Sequence, residues 1–140
     1  MFTSSRDDVG GDTDGDATAP QAGDWGYMLL QGEDVRLRHC SVRWGGLRDD
    51  DTSSYETWRN YMVWVRSDAC TIDACSLDGA YDYTVYVENC SPSITNSVIG
   101  SDAVTADYGI RADGNEPTIT GNTIRTVSYT HLTLPTTRLV

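Results

Sequence analysis

No stretch of this 140-residue chain approaches the roughly 20 consecutive apolar residues needed to span a bilayer, and a run such as Tyr27 to Leu30 is far too short. A membrane span is therefore not expected. Basic residues are scarce, with 10 Lys plus Arg against 21 Asp plus Glu and a formal charge of -11, so a phosphate backbone would be repelled and nucleic acid is not an expected partner. The four cysteines, Cys40, Cys70, Cys75 and Cys90, form no CxxC pair and only two histidines accompany them, which argues against a zinc site. The start, Met1-Phe2-Thr3-Ser4-Ser5-Arg6, has neither the basic residues nor the apolar stretch of a signal peptide, so export is inferred from the rest of the chain. What is abundant is acid, Ser, Thr and Gly, with eight Tyr and four Trp, a composition suited to an extracellular β protein of one domain.

A repeat carries most of the information. Four segments align: Asp24-Trp25-Gly26-Tyr27-Met28-Leu29, Asn60-Tyr61-Met62-Val63-Trp64-Val65, Asp82-Tyr83-Thr84-Val85-Tyr86-Val87 and Asp107-Tyr108-Gly109-Ile110-Arg111-Ala112. Each is an Asx, an aromatic and then alternating apolar residues. A second set follows: Leu37/Cys40/Val42, Ile72/Cys75/Leu77, Ile94/Ser97/Ile99 and Ile119/Asn122/Ile124. The aromatic precedes the first aliphatic by 12 residues in the first unit and by 11 in the other three. Between aromatics the spacing is 36, 22 and 25 residues, and the excess in the first interval lies in the polar stretch 45–59, which reads as a loop inserted on one edge of the unit.

The period within each segment is 2, with Tyr83, Val85 and Val87 expected on one face, and β-branched and aromatic residues favour the pleated backbone. Strands this short cannot bury an apolar face alone; stacked at about 4.8 Å they form a continuous core. Two ladders are predicted, Trp25/Tyr61/Tyr83/Tyr108 and Leu37/Ile72/Ile94/Ile119. Pro92 and Pro117 occupy equivalent sites, where a fixed φ suits entry to a strand. Asn96 and Gly121 mark bends in the left-handed conformation, a role that His39 and Ala74 suit less well in the first two units. Cys40, Cys75, Ser97 and Asn122 would form an inward ladder of small or amide side chains. Arg38 should lie near Asp73 and Arg43 near Asp78 as outward structural pairs.

These Asx-aromatic-x-aliphatic strands, followed by Ser91-Pro92-Ser93-Ile94-Thr95-Asn96-Ser97-Val98-Ile99, resemble the repeats of right-handed parallel β-helix proteins, the pectate-lyase-like family included. The resemblance spans about residues 24–125 and implies an all-β, right-handed parallel β-helix (solenoid) of about four coils. The entry segment 1–23, acidic and Gly-rich, is similar to segments of bacterial surface β-helix proteins. The last stretch, 126–140, departs from the pattern: Val127 to Thr136 resembles the translation of a sequencing adapter. It is set aside as non-native, the plain alternative being a native closing strand with Pro135 as a stop, and the chain is expected to be an incomplete fragment with further coils after Ile124.

Two constellations could carry chemistry. Asp12-Thr13-Asp14-Gly15-Asp16 places Asp12, Asp14 and Asp16 at the alternate positions of a calcium loop, although Ala17 stands where a Gly and Gly23 where a bidentate Glu would belong. Weak calcium binding is the expected cofactor chemistry, and a solvated acidic loop is the plain alternative. In the inserted loop, Asp49, Asp50 and Asp51 beside Tyr55 and Trp58 combine hydroxyl-binding carboxylates with rings that stack on sugars; the rings would equally cover the flank of the coils. Cys40 and Cys75 are equivalent sites whose Cα separation falls near the disulfide window, but side chains pointing the same way favour two reduced thiols. No catalytic motif can be matched. The expected function is a non-catalytic segment of a secreted or cell-surface β-helix protein, a stalk, adhesin or carbohydrate-contact module for a polysaccharide or surface glycan. The alternative is a piece of a polysaccharide lyase or glycoside hydrolase whose site lies on other coils.

Overall fold

The computed structural model describes residues 1–3, 18–46, 61–100, 106–125 and 127–133, with the backbone alone for 106–108 and 127–133. All regular structure among them is strand. The order is β1 (Met28–Leu30), β2 (Val35–Arg38), β3 (Ser41–Arg43), β4 (Tyr61–Val65), β5 (Cys70–Asp73), β6 (Ser76–Asp78), β7 (Tyr83–Glu88), β8 (Ser93–Thr95), β9 (Val98–Ile99), β10 (Ala106–Asp113), β11 (Thr118–Thr120), β12 (Thr123–Ile124) and β13 (Val127–Thr133). Every third strand pairs in parallel, giving sheets β1-β4-β7-β10-β13, β2-β5-β8-β11 and β3-β6-β9-β12. Three parallel sheets stacked coil on coil are compatible with a parallel β-helix or solenoid.

The spacing between coils is the same in all three sheets. Met28↔Val63, Val35↔Cys70 and Ser41↔Ser76 are each 35 residues apart; Tyr61↔Tyr83, Thr71↔Ser93 and Ser76↔Val98 are 22 apart; Tyr83↔Tyr108, Ser93↔Thr118 and Val98↔Thr123 are 25 apart. The extra length of the first coil therefore falls between β3 and β4, where the insertion at 45–59 was expected. Residues 47–60 lie outside the described residues.

The aliphatic ladder is as predicted: Leu37, Ile72, Ile94 and Ile119 are in register and buried, and Val42, Leu77, Ile99 and Ile124 form the next column. Val63/Val85/Ile110 and Val65/Val87/Ala112 line the third side of the core. Continuous apolar columns exclude water along the axis, which stabilises each short strand through its neighbours.

The aromatic ladder differs from expectation in two ways. Tyr61, Tyr83 and Tyr108 are in register, but Met28↔Val63 places Gly26, not Trp25, on the level of Tyr61. Trp25 lies before β1, its Nε1 donating to Arg43 O at 2.7 Å and its ring packed on the core. That ring and Met62 close over Gly45, where any Cβ would sit 2.7 Å from both. The alternation also begins later than predicted. Thr84 and Val85 are both buried while Tyr83 is half-exposed, so Tyr83 does not share the inward face of Val85 and Val87. Its hydroxyl instead meets Arg111 on the outside, accepting from Nη1 at 3.1 Å.

All four corner residues take the left-handed conformation, His39 (φ 51°), Ala74 (52°), Asn96 (50°) and Gly121 (67°), although only the last two favour it intrinsically. The inter-coil bonds His39 N to Asp73 O, Ala74 N to Thr95 O and Asn96 N to Thr120 O impose the bend. The inward ladder follows it: Cys75 N donates to Ser97 Oγ at 3.1 Å, and Ser97 N to Asn122 Oδ1 at 2.9 Å. At the first-coil end, Phe2 adds a bridge to Val42, its N donating to Ser41 O and its O accepting from Arg43 N. At the other end β13, from the segment set aside in the sequence, pairs with β10. Its Val127, Tyr129, Thr130 and Thr133 are residue types that favour an extended backbone, so an open sheet edge accepts it whatever its origin.

Candidate functional site

The outward face of the five-stranded sheet gathers the densest chemistry among the described residues. Alternation along β4, β7 and β10 sends Val63 and Val65 and their counterparts inward and leaves Trp64, Tyr86 and Arg111 in one outward column. Two residues on, Arg66, Glu88 and Asp113 form a second column, Glu88 and Asp113 being register partners. The columns are cross-linked. Trp64 Nε1 donates to Glu88 Oε2 at 3.0 Å and Arg66 Nε pairs with the same oxygen at 3.2 Å. One coil further, Tyr86 Oη donates to Asp113 Oδ2 at 3.0 Å and Arg111 Nε pairs with it at 3.2 Å. Each guanidinium also lies over a ring, Arg66 at 5.1 Å from Trp64 and Arg111 at 5.7 Å from Tyr86.

Further rings extend this face. Tyr61 is 5.2 Å from both Trp64 and Tyr86, stacked on the latter, and Tyr27 is 5.6 Å from Tyr61 and 5.4 Å from Trp64. Tyr61, Tyr83, Tyr86 and Arg111 line a small notch of about 70 Å³. Beside Tyr27 a larger cleft of about 360 Å³ is lined by Phe2, Thr3, Trp25, Tyr27 and Met28, within the size range of ligand sites.

Burial and then the Asp113 carboxylate push the Tyr86 hydroxyl up to about 12, so it stays a neutral donor at physiological pH. Partial burial works against the Arg111 charge, but Asp113 and the Tyr83 hydroxyl more than offset this and raise its pKa. The polar ends of Trp64, Tyr83 and Tyr86 are thus held by charge-paired partners.

Asp12, Asp14 and Asp16, and Asp49, Asp50, Asp51, Tyr55 and Trp58, all lie outside the described residues. Among the described residues no group of three or more His, Cys, Asp or Glu is placed to hold a metal ion, and no helix is long and apolar enough to cross a membrane. Arg43 and Asp78 pair as expected, Nε to Oδ1 at 3.0 Å, with Arg43 over the Trp44 ring at 5.1 Å. Asp73 is opposite Arg38, yet its carboxylate accepts from Thr95 Oγ1 at 2.7 Å and Asn96 Nδ2 at 3.0 Å of the following coil. All four cysteines are free thiols. Sequence reasoning missed Trp64, Tyr86 and Arg111 as a site, although the aligned repeats already placed them in one column.

No family model, curated protein or solved structure matches the chain. What the geometry defines is a class: an all-strand, parallel, stacked protein with an aromatic and charge-paired outer face.

Proposed function

We propose that this chain is a segment of a right-handed parallel β-helix protein, secreted or on a cell surface, that makes non-catalytic contact with a polysaccharide or surface glycan. The observation that carries this reading is the array of accessible rings Tyr27, Trp64 and Tyr86, packed over the buried ring of Tyr61, with Glu88, Asp113, Arg66 and Arg111 at its polar edge. Sugar rings present an apolar face for stacking and hydroxyls for fixed acceptors and donors, which is what such a surface offers. Both carboxylates already accept from an aromatic donor and a guanidinium, an arrangement suited to holding hydroxyls more than to transferring protons. The net charge of -11 favours an uncharged glycan over an acidic one.

The loop residues Asp49, Asp50, Asp51, Tyr55 and Trp58 would add contacts, and Asp12, Asp14 and Asp16 would bind calcium weakly, at the roughly 10⁻⁴ to 10⁻³ M of extracellular modules. The test is titration of the chain with a panel of neutral and acidic oligosaccharides, followed by indole fluorescence and by product analysis. Binding of a neutral glycan that is lost in Trp64→Ala and leaves the sugar intact is expected. No binding by any glycan would sink the reading, and cleavage would replace it with the lyase or hydrolase alternative. In parallel, millimolar calcium should raise the melting temperature and Asp14→Ala should abolish that gain; no shift in the wild type would reduce the segment to an acidic loop.

A further inference from the structure

We propose that Cys40 and Cys75 form a thiol–disulfide exchange site that closes into a covalent staple between the first two coils. The two cysteines occupy the same corner of successive coils, directly after the left-handed residues His39 and Ala74. The register on either side, Arg38↔Asp73 and Ser41↔Ser76, sets them opposite one another, and Ser76 N donates to Cys40 O at 2.8 Å. Their Cα atoms are thus about one strand spacing apart, ~4.8 Å, inside the 4.4–6.8 Å window of disulfides.

Side chains in register within parallel strands point the same way and resist the required torsion. Here, however, both residues lie between strands, at a corner. Each thiol donates to the carbonyl two residues before it, Cys40 Sγ to Arg38 O at 3.1 Å and Cys75 Sγ to Asp73 O at 3.3 Å, but Cys75 Sγ also reaches back a coil to Leu37 O at 3.2 Å, which sets its sulfur against the first coil beside Cys40. The later rungs of this ladder pair a backbone N with an oxygen, Cys75 N with Ser97 Oγ and Ser97 N with Asn122 Oδ1, and in the rung between coils one and two the side chains at both ends are thiols. Cys40 is half-buried and faces an open groove with His39, Ser41, Ala74 and Ser76, so a reagent can reach it; Cys70 and Cys90 are buried.

The chemistry needs an external disulfide of the glutathione type. The Cys40 thiolate attacks one sulfur of the reagent, whose S–S bond breaks and whose other half leaves as a thiolate that takes up a proton. Cys75, once deprotonated, attacks the Cys40 sulfur and expels the second reagent thiol. Two protein thiols are oxidised by two electrons, and one reagent disulfide is reduced to two thiols. Burial raises the Cys75 thiol above its ordinary value, so the second step should accelerate with pH.

The test incubates the full chain with oxidised glutathione at mildly alkaline pH and maps its peptides without reduction. The expected product is a linked Cys40–Cys75 peptide with Cys70 and Cys90 alkylated only after unfolding. Its melting temperature should rise by several degrees and fall back on reduction, and Cys75→Ser should stop at the glutathione adduct on Cys40. A wild-type chain that stops at that adduct, or pairs either cysteine with Cys70 or Cys90, overturns the proposal. Cys40→Ser is the control: it should take up no glutathione while folded, and uptake there would overturn it too.

Discussion

The Trp64 indole donates to the Glu88 carboxylate of the next coil at 3.0 Å, and the Tyr86 hydroxyl repeats this contact on Asp113 at the same distance. Two different aromatics thus make one contact, because successive coils present the same outward columns. Replacing Trp64 by Phe keeps a ring but removes the donor to a charged acceptor, and the site is partly exposed. A loss of about 1 kcal/mol is expected in denaturant titration. Glu88→Gln should leave the indole an acceptor but weaken Arg66. Equal stability of all three proteins would show that the contact does not hold the face together.

Inside the sheets the balance is apolar. Ile94 is fully buried between Ile72 and Ile119, and Val85 between Val63 and Ile110, so Ile94→Ala should cost about 2–4 kcal/mol and Val85→Ala about 1–3 kcal/mol. Thr84 is equally buried, yet its hydroxyl has no hydrogen-bond partner among the described residues. Thr84→Val keeps the shape and removes the desolvated hydroxyl, for an expected gain of about 1 kcal/mol. A loss there would mean that the hydroxyl is solvated in the folded chain.

At the corners, Ala74 holds φ at 52°, a conformation that costs an L-residue roughly 1–2 kcal/mol and glycine far less. After the extra unfolded-state entropy of glycine, Ala74→Gly should stabilise by up to about 1 kcal/mol. Gly121→Ala should destabilise by about 1–2 kcal/mol, since its Cβ would also meet Asn96 Oδ1 at 2.7 Å. Melting curves of the two variants should move in opposite directions; movement in the same direction would refute the shared bend.

Acid should loosen the corner between the second and third coils. Hydrogen bonds from Thr95 and then Asn96 hold the Asp73 carboxyl below its ordinary value, with Arg38 adding charge. A depressed folded-state pKa means stability that is present above the unfolded value of about 3.9 and lost as pH falls through the folded value. The melting temperature should therefore drop below about pH 4, and Asp73→Asn should flatten part of that drop. An identical acid profile in the variant would remove Asp73 from the account.

The sequence alone determined the columns. A nearly constant offset from aromatic to aliphatic forced Leu37, Ile72, Ile94 and Ile119 into one stack, because a strand of period 2 in register with its copy cannot shift by one residue without exposing its apolar face. The same logic placed Arg43 beside Asp78 and the extra length of the first coil after β3. Only the tertiary structure decided the rest. The offset of 12 in the first unit was the trace of a slip that moved Trp25 off the ladder, resolved only when Met28 paired with Val63. The left-handed turn at Ala74 follows from hydrogen bonds to the next coil, not from its own preference. The aromatic face needed the third dimension most: residues 22 to 25 apart along the chain become neighbours only when coils stack, and that distance is invisible to local pattern.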